Sequence, residues 1–213
     1  MQEVIIVCED SFGLDVKYVI DAINDEQRMN GWEILYTIKG YITPQGCEYR
    51  TGLLEYLGSV EPGADYRNGI YVMGIRNPQH KCEVARIMES GNASFTAIRA
   101  PWVMDMPEFE YPKGCVIAAF CVKENAEIGE YVTLFNSMLG ATKIGKYSSA
   151  MSYSNLTTAD IGERVYIGPN AVIMDHVRVG DDAVVEPNSV VVRNVKAGTR
   201  VNGIPARKEK GKE

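Results

Sequence analysis

Aliphatic residues recur every six positions along the last third of the chain: Ile161, Ile167, Ile173, Val179, Val185 and Val191. Four positions after each stands a small or β-branched residue, namely Val165, Ala171, Val177, Ala183, Ser189 and Val195, and Gly162, Gly168 and Gly180 follow directly behind three of the ladder residues. A helix repeats near 3.6 residues and an ordinary strand near 2, so neither produces this pattern. A period of six predicts a short strand and a bend, with one aliphatic side chain turned inward on each side of a three-sided coil. Three hexapeptides close one coil, so position 161 stacks under 179. Stacked strands lie about 4.8 Å apart, and their inward residues form a continuous apolar column. This is the sequence pattern of a parallel β-helix.

The ladder also runs earlier, through Val116, Val122, Ile128 and Leu134, with Phe120, Ala126, Val132 and Met138 four residues on. It then loses step. Leu134 and Ile144 are 10 residues apart where two repeats take 12, and Ile144 and Ile161 are 17 apart where three take 18. The irregular stretch predicts a pinched or looped coil.

The first hundred residues have another rhythm. "EVIIVC" (3–8) is a compact apolar strand, and Val16, Val19, Ile20 and Ile23 share one face of a following helix. "GWEILYTI" (31–38), "GIYVMGI" (69–75) and "SFTAIRA" (94–100) read as strands. Asn77 as N-cap, Pro78 at the first helical position and Gly91 at the end bracket a second helix. Strand, helix, strand, strand, helix, strand predicts a small Rossmann-like α/β domain with a parallel sheet over 1–100. A turn-rich linker follows over 101–113, then the β-helix over 114–206 and a charged tail over 207–213.

Composition narrows the function. The chain has 213 residues, 46% hydrophobic content and a net charge of −6. That balance argues against nucleic-acid or anionic-membrane surfaces, which need dense Lys and Arg. No apolar run approaches the ~20 residues that span a bilayer, and the acidic "MQEVIIVCED" does not read as a signal peptide. Five cysteines without metal-ligand spacing predict reduced, mostly buried thiols and a cytoplasmic location. In the α/β domain the first strand-to-helix turn is where a nucleotide phosphate is held. Here it reads "CEDSFGLD", with only Gly13 left of a glycine-rich loop and with Glu9, Asp10 and Asp15 adding negative charge. A nucleotide site and a structural turn with solvated acids both stand as readings.

A small α/β domain, hexapeptide coils such as "AEIGEYV" and "IGERVYIGPNAVI", the turn "MGIRNP" and a closing "VNGIPARK" together resemble the bacterial sugar O- and N-acetyltransferases. Nearest is the sialic acid O-acetyltransferase-like family, which includes UDP-amino-sugar N-acetyltransferases. The resemblance implies a left-handed β-helix, a homotrimer, and acetyl-CoA in the groove between neighbouring coils, near Gly162, Gly180, Gly203, Pro205 and Ala206. It places the acceptor, a sugar or nucleotide-amino-sugar of surface glycan biosynthesis, on the N-terminal domain, near Gly13, Gly74 and Asn77. No metal is expected, and two histidines, His80 and His176, cannot make a three-histidine site within one chain.

The family's histidine base, aligned backward from Ile144, falls on Gly140 and its acidic neighbour on Leu139. A second family histidine falls near Ser149, and the acids for the nucleotide base on Ile42 and Thr43. The base must therefore lie elsewhere or be dispensed with. Asp175 and His176 share an edge with Gly140, two coils along, about 10 Å away by the strand spacing. An imidazole titrates near neutral pH, and an adjacent carboxylate orients it. A displaced base and a solvent-facing turn histidine are both open, whereas His80 reads as a capping or surface residue. Asn136 and Tyr147 in the irregular coil are the candidates for catalysis by positioning alone. The expected function is acyl-CoA-dependent acyl transfer to a sugar. The alternative is a catalytically degenerate homologue acting as a binding or assembly subunit.

Overall fold

The computed structural model describes residues 1–105, 109–122 and 125–209. Part of the expected linker and most of the expected charged tail lie outside the described residues.

The N-terminal sheet is built from β1 (Gln2–Cys8), β2 (Tyr36–Thr43), β3 (Tyr56–Ser59), β4 (Ile70–Gly74) and β5 (Ser94–Phe95), all parallel, in the order β3-β2-β1-β4-β5. Helices α1 (Phe12–Met29) and α2 (Pro78–Ser90) connect the strands. Helix α1 buries Val16, Val19, Ile20 and Ile23, the face expected from the sequence. Asn77 caps α2, its Oδ1 accepting from the N–H groups of Gln79 (3.0 Å) and His80 (3.2 Å). Two expectations need correction. Strand β2 begins at Tyr36 rather than 31, because its buried half is Gly40–Thr43, between β1 and β3. Strand β3 was not expected, being four residues long with a glycine inside.

The predicted strand 94–100 divides in two. Its first half, β5, closes the N-terminal sheet, and its second, β6 (Ile98–Arg99), pairs with β7 (Val116–Ala118) of the solenoid. The chain thus enters the coils ahead of the turn-rich segment 101–113. At the far end, Arg207–Lys208 folds back antiparallel on Val201–Asn202.

From there the chain forms a left-handed parallel β-helix with three faces. The inward column of face one is Ile117, Leu134, Ala150, Ile167, Val185 and Val201. Face two carries Val122, Leu139, Leu156, Ile173 and Val191, and face three Ile128, Ile144, Ile161, Val179 and Val195. The six ladder residues from Ile161 to Val191 are all buried, as are the residues four positions after each.

The early register differs from expectation. Leu134 stacks on Ile117, not Val116, and Val116 lies on the outer side, where it is also buried. Phe120 and Met138 point outward and are exposed. The 10-residue stride from Leu134 to Ile144 is two steps of five through Leu139, so the coil is tightened at two corners and nothing loops out.

Ten of the corners turn through a non-glycine residue with positive φ. Between faces one and two these are Asn136, Tyr153, Asn170 and Asn188; between two and three, Thr158 and His176; between three and one, Tyr131, Tyr147, Arg164 and Asp182. Their φ angles lie between 47° and 63°, the left-handed region that costs most residues energy and asparagine least. Stacking offsets the cost, since successive corners hydrogen bond, as from His176 N–H to the Thr158 carbonyl (3.1 Å).

The three outer faces differ in chemistry. Face one is covered by the N-terminal domain over its first coils. Lys81 of α2, fully buried, donates from Nζ to Thr133 Oγ1 (2.9 Å), Ser149 Oγ (2.8 Å) and the Ser148 carbonyl (3.3 Å). Beside it Tyr131 stacks on Tyr147 with centroids 5.2 Å apart and donates its hydroxyl to Glu89 (2.6 Å). Face two presents Cys121, Met138, Asn155, Val172 and Val190 in register, an apolar stripe broken by one amide. Face three presents Glu127, Lys143, Asp160 and Arg178.

Candidate functional site

Strand order reverses beside β1: the chain passes from β1 through α1 to β2 on one side, while β4 lies on the other. In open parallel sheets ligands bind at such a reversal, outside the carboxyl ends of the strands. A cleft of about 510 Å³ lies there. One wall comes from the ends of β1 and β4 (Glu9, Asp10, Arg76 and Gln79), the other from the exposed end of face one (Tyr166, Pro169, Val184, Glu186 and Arg200).

Charges in the cleft are paired. Arg76 meets Asp10 at 2.9 Å, and Arg200 pairs with Glu186 on the opposite wall. His80 Nδ1 lies 2.9 Å from Glu9 Oε2. Burial raises the Asp15 carboxyl above its ordinary value, opposed by Arg76. The His80–Glu9 pair is the arrangement that sequence reading missed. The sequence leaves Glu9 between a nucleotide site and a turn with solvated acids and gives His80 as a capping or surface residue; 71 residues separate them, and nothing in either local pattern signals the other.

The predicted catalytic residues do not converge within one chain. Asn136, Tyr147 and the Asp175–His176 pair stand on three different corners. Tyr147 is buried in the domain interface against Tyr131. His176 is exposed, and Asp175 accepts from Thr158 Oγ1 at 3.0 Å. Hydrogen bonds from Thr157 and Thr158 hold the Asp175 carboxyl below its usual value. Gly140 donates its N–H to the Leu156 carbonyl at the same corner as Asp175 and His176. Ser149, the place of the family's second histidine, is sealed beneath Lys81, and Thr43 Oγ1 is buried without a partner.

The predicted binding glycines have structural work. A Cβ on Gly162 would stand 2.7 Å from the Asp181 nitrogen, and one on Gly180 2.5 Å from the Ala197 nitrogen, so both permit coil-on-coil approach. A Cβ on Gly13 would stand 2.6 Å from Cys8 Sγ, and one on Gly74 3.0 Å from the Val7 carbonyl oxygen. Asn77 spends its side-chain oxygen on α2. Gly203, Pro205 and Ala206 cross the last coil, where Ala206 N–H bonds the Val190 carbonyl (2.8 Å). Ala206 lines an opening of about 430 Å³ at the end of the apolar column, ringed by Arg193, Lys196, Arg207 and Lys208. These four exposed cations form no ion pair among the described residues.

Residues 158–193 match the bacterial transferase hexapeptide model, described as six repeats. No curated protein matches the sequence at a significant level. Among solved structures, the acetyltransferase domain of PglB from Neisseria gonorrhoeae FA1090 is similar over 98% of this chain and 100% of its own, with TM-score 0.78 and 13% identity. WeeI from Acinetobacter baumannii AYE is similar over 98% and 100%, with TM-score 0.73 and 18% identity. A variant of perosamine N-acetyltransferase from Caulobacter crescentus, in complex with CoA and GDP-perosamine, is similar over 99% and 98%, with TM-score 0.67 and 16% identity. At these identities the likeness is one of fold. The chain thus carries hexapeptide repeats over residues 158–193 and has the two-domain fold seen in the PglB acetyltransferase domain and in perosamine N-acetyltransferase.

Proposed function

We propose that this protein transfers an acetyl group from acetyl-CoA to a sugar bound in the cleft between its two domains. The cleft carries the reading, because a strand-reversal site faces the outer surface of hexapeptide coils. The donor side is supported by four cations of the last coil, unpaired among the described residues of an otherwise acidic chain, which suit the phosphates of CoA. The PglB domain, also solved with acetyl-CoA, and perosamine N-acetyltransferase with CoA and GDP-perosamine support the same donor and a small-molecule acceptor. A cytoplasmic location belongs to this reading.

A homotrimer completes the site in this proposal. Face one is covered over its first coils and lines the cleft beyond them, and face three is charged, so the apolar stripe of face two is the surface a neighbour buries. Around a three-fold axis along the stack, each copy's corner between faces one and two then adjoins its neighbour's corner between faces two and three. Pro169 of the cleft and His176 belong to one coil, so the neighbour's Asp175–His176 pair stands at the height of the cleft. There His176 takes the proton as the acceptor nitrogen or oxygen attacks the thioester carbonyl. The new C–N or C–O bond forms, the C–S bond breaks, and CoA thiolate leaves with that proton. The test is thiol release from acetyl-CoA over a panel of amino sugars and sugar alcohols. Release with an acceptor supports the reading; acetyl-CoA binding without release from any acceptor returns the chain to the alternative, a binding or assembly subunit.

A further inference from the structure

We infer that the acceptor taken by the cleft carries no nucleoside diphosphate. The inference rests on the acyltransferase reading and narrows its substrate to a sugar without a nucleotide handle. It comes from asking where the backbone N–H groups around the cleft are spent. A diphosphate is held in such a fold by the free N–H groups at a helix N-terminus and by a glycine that lets the backbone come close.

At α1 the N–H groups of the first three helical residues are engaged. Phe12 N–H donates to Asp10 Oδ1 (2.8 Å), Gly13 N–H to the Asp10 carbonyl (3.2 Å) and Leu14 N–H to the Ser11 carbonyl (2.9 Å). Asp10 thus occupies the place of an anionic ligand with its own carboxylate, and its other oxygen is held by Arg76. At α2, Pro78 has no N–H, Gln79 and His80 donate to Asn77 Oδ1, and Lys81 donates to the Asn77 carbonyl (2.9 Å). The two helix ends that face the cleft are self-satisfied. The glycines do not help, since Gly13 is packed on Cys8 and Gly74 on the backbone of β1.

Charge points the same way. Glu9, Asp10 and Glu186 share the cleft with Arg76 and Arg200. The balance is negative, and each arginine already holds a carboxylate. A diphosphate entering here meets carboxylates in place of donors. A sugar ring meets what it needs: carboxylates and guanidinium groups for its hydroxyls, and Tyr166 with Pro169 for its apolar face.

The test separates this inference from the acyltransferase reading by measuring nucleotide binding without turnover. Titration calorimetry of the full chain with UDP and with GDP should give no binding tighter than about millimolar. Micromolar binding of either overturns the inference whether or not the protein is an enzyme. In the Asp10→Gly variant, Arg76 and the Phe12 N–H are released, and UDP or GDP affinity should rise about tenfold or more. An unchanged affinity in a folded variant overturns the role given to Asp10, and Asp10→Asn, which keeps the cap but drops the charge, should gain less. In the thiol-release panel, free amino sugars should turn over faster than their nucleotide-linked forms, and the reverse order overturns the inference. Absence of both acetyl-CoA binding and thiol release would instead remove the acyltransferase reading, with the calorimetry still reporting on the cleft.

Discussion

Replacing Lys81 with methionine should flatten the pH dependence of stability. Lys81 is fully buried between α2 and face one, its three donors meet two hydroxyls and a carbonyl, and it forms no ion pair among the described residues. Burial pushes its pKa from 10.5 down to about 7, with a smaller upward push from Cys115. In the unfolded chain the amine stays protonated up to its ordinary value. Between about pH 7 and pH 10.5 the unfolded state therefore binds more protons than the folded one, and stability rises with pH across that window. The slope is about 1.4 kcal/mol per pH unit, so the domain interface gains ~2 kcal/mol between about pH 7.5 and pH 9. Other groups titrate there too, so the informative quantity is the difference between wild type and Lys81→Met, followed by urea unfolding at each pH through Trp32 and Trp102. That difference should grow with pH in favour of wild type. Parallel curves would show that Lys81 keeps its proton on folding and would refute the reasoning.

Four further outcomes are expected. Ile167→Asp places a carboxylate in the inward column between Ala150 and Val185, at a cost of several kcal/mol, and should abolish soluble expression; a folded variant by circular dichroism would sink the column. Met138→Glu on face two should convert three-chain particles to monomers in sedimentation, and an unaffected trimer would move the interface elsewhere. His176→Ala should lower thiol release by ~10²–10⁴-fold with acetyl-CoA affinity unchanged; full activity would retire it as the base. Gly13→Ala should cost about 1–3 kcal/mol by overpacking against Cys8, whose Sγ and Cβ would stand 2.6 and 2.7 Å from the new methyl, and adding Cys8→Ala, which keeps that Cβ, should recover only part of it; full recovery would show that the backbone gives way instead.

The solenoid was legible where steps are six residues long, because each side of the coil then imposes the same inward position from Ile161 to Val191. Where a corner sheds a residue the count fails. Ser137, buried, takes the inward place that a count of four from Leu134 assigns to Met138. Val116 and Ile117 are indistinguishable by pattern because the N-terminal domain buries the outer side of face one as well, so both positions are apolar. In the cleft the residues were visible but not their pairing. His80 meets Glu9, and Lys81 meets Thr133 and Ser149, across 52 to 71 positions. Folding of the N-terminal sheet and helices brings the first pair together, and docking of α2 on the coils the second. His176 stands exposed on a corner, and in a single chain no other expected catalytic group stands beside it except Asp175.

Face three has a consequence for how such a chain can change length. Its outward residues alternate in sign as the coils stack: Glu127, Lys143, Asp160, Arg178. Lys143 pairs with Glu127 at 2.7 Å and Arg178 with Asp160 at 3.3 Å. Excising one coil would set Glu127 directly against Asp160 or Lys143 against Arg178, whereas excising two restores opposite neighbours. Each exposed contact is worth under about 1 kcal/mol, but a one-coil slip exchanges an attraction for a repulsion. The stripe acts as a parity check on the stack, penalising odd changes in coil number and sparing even ones.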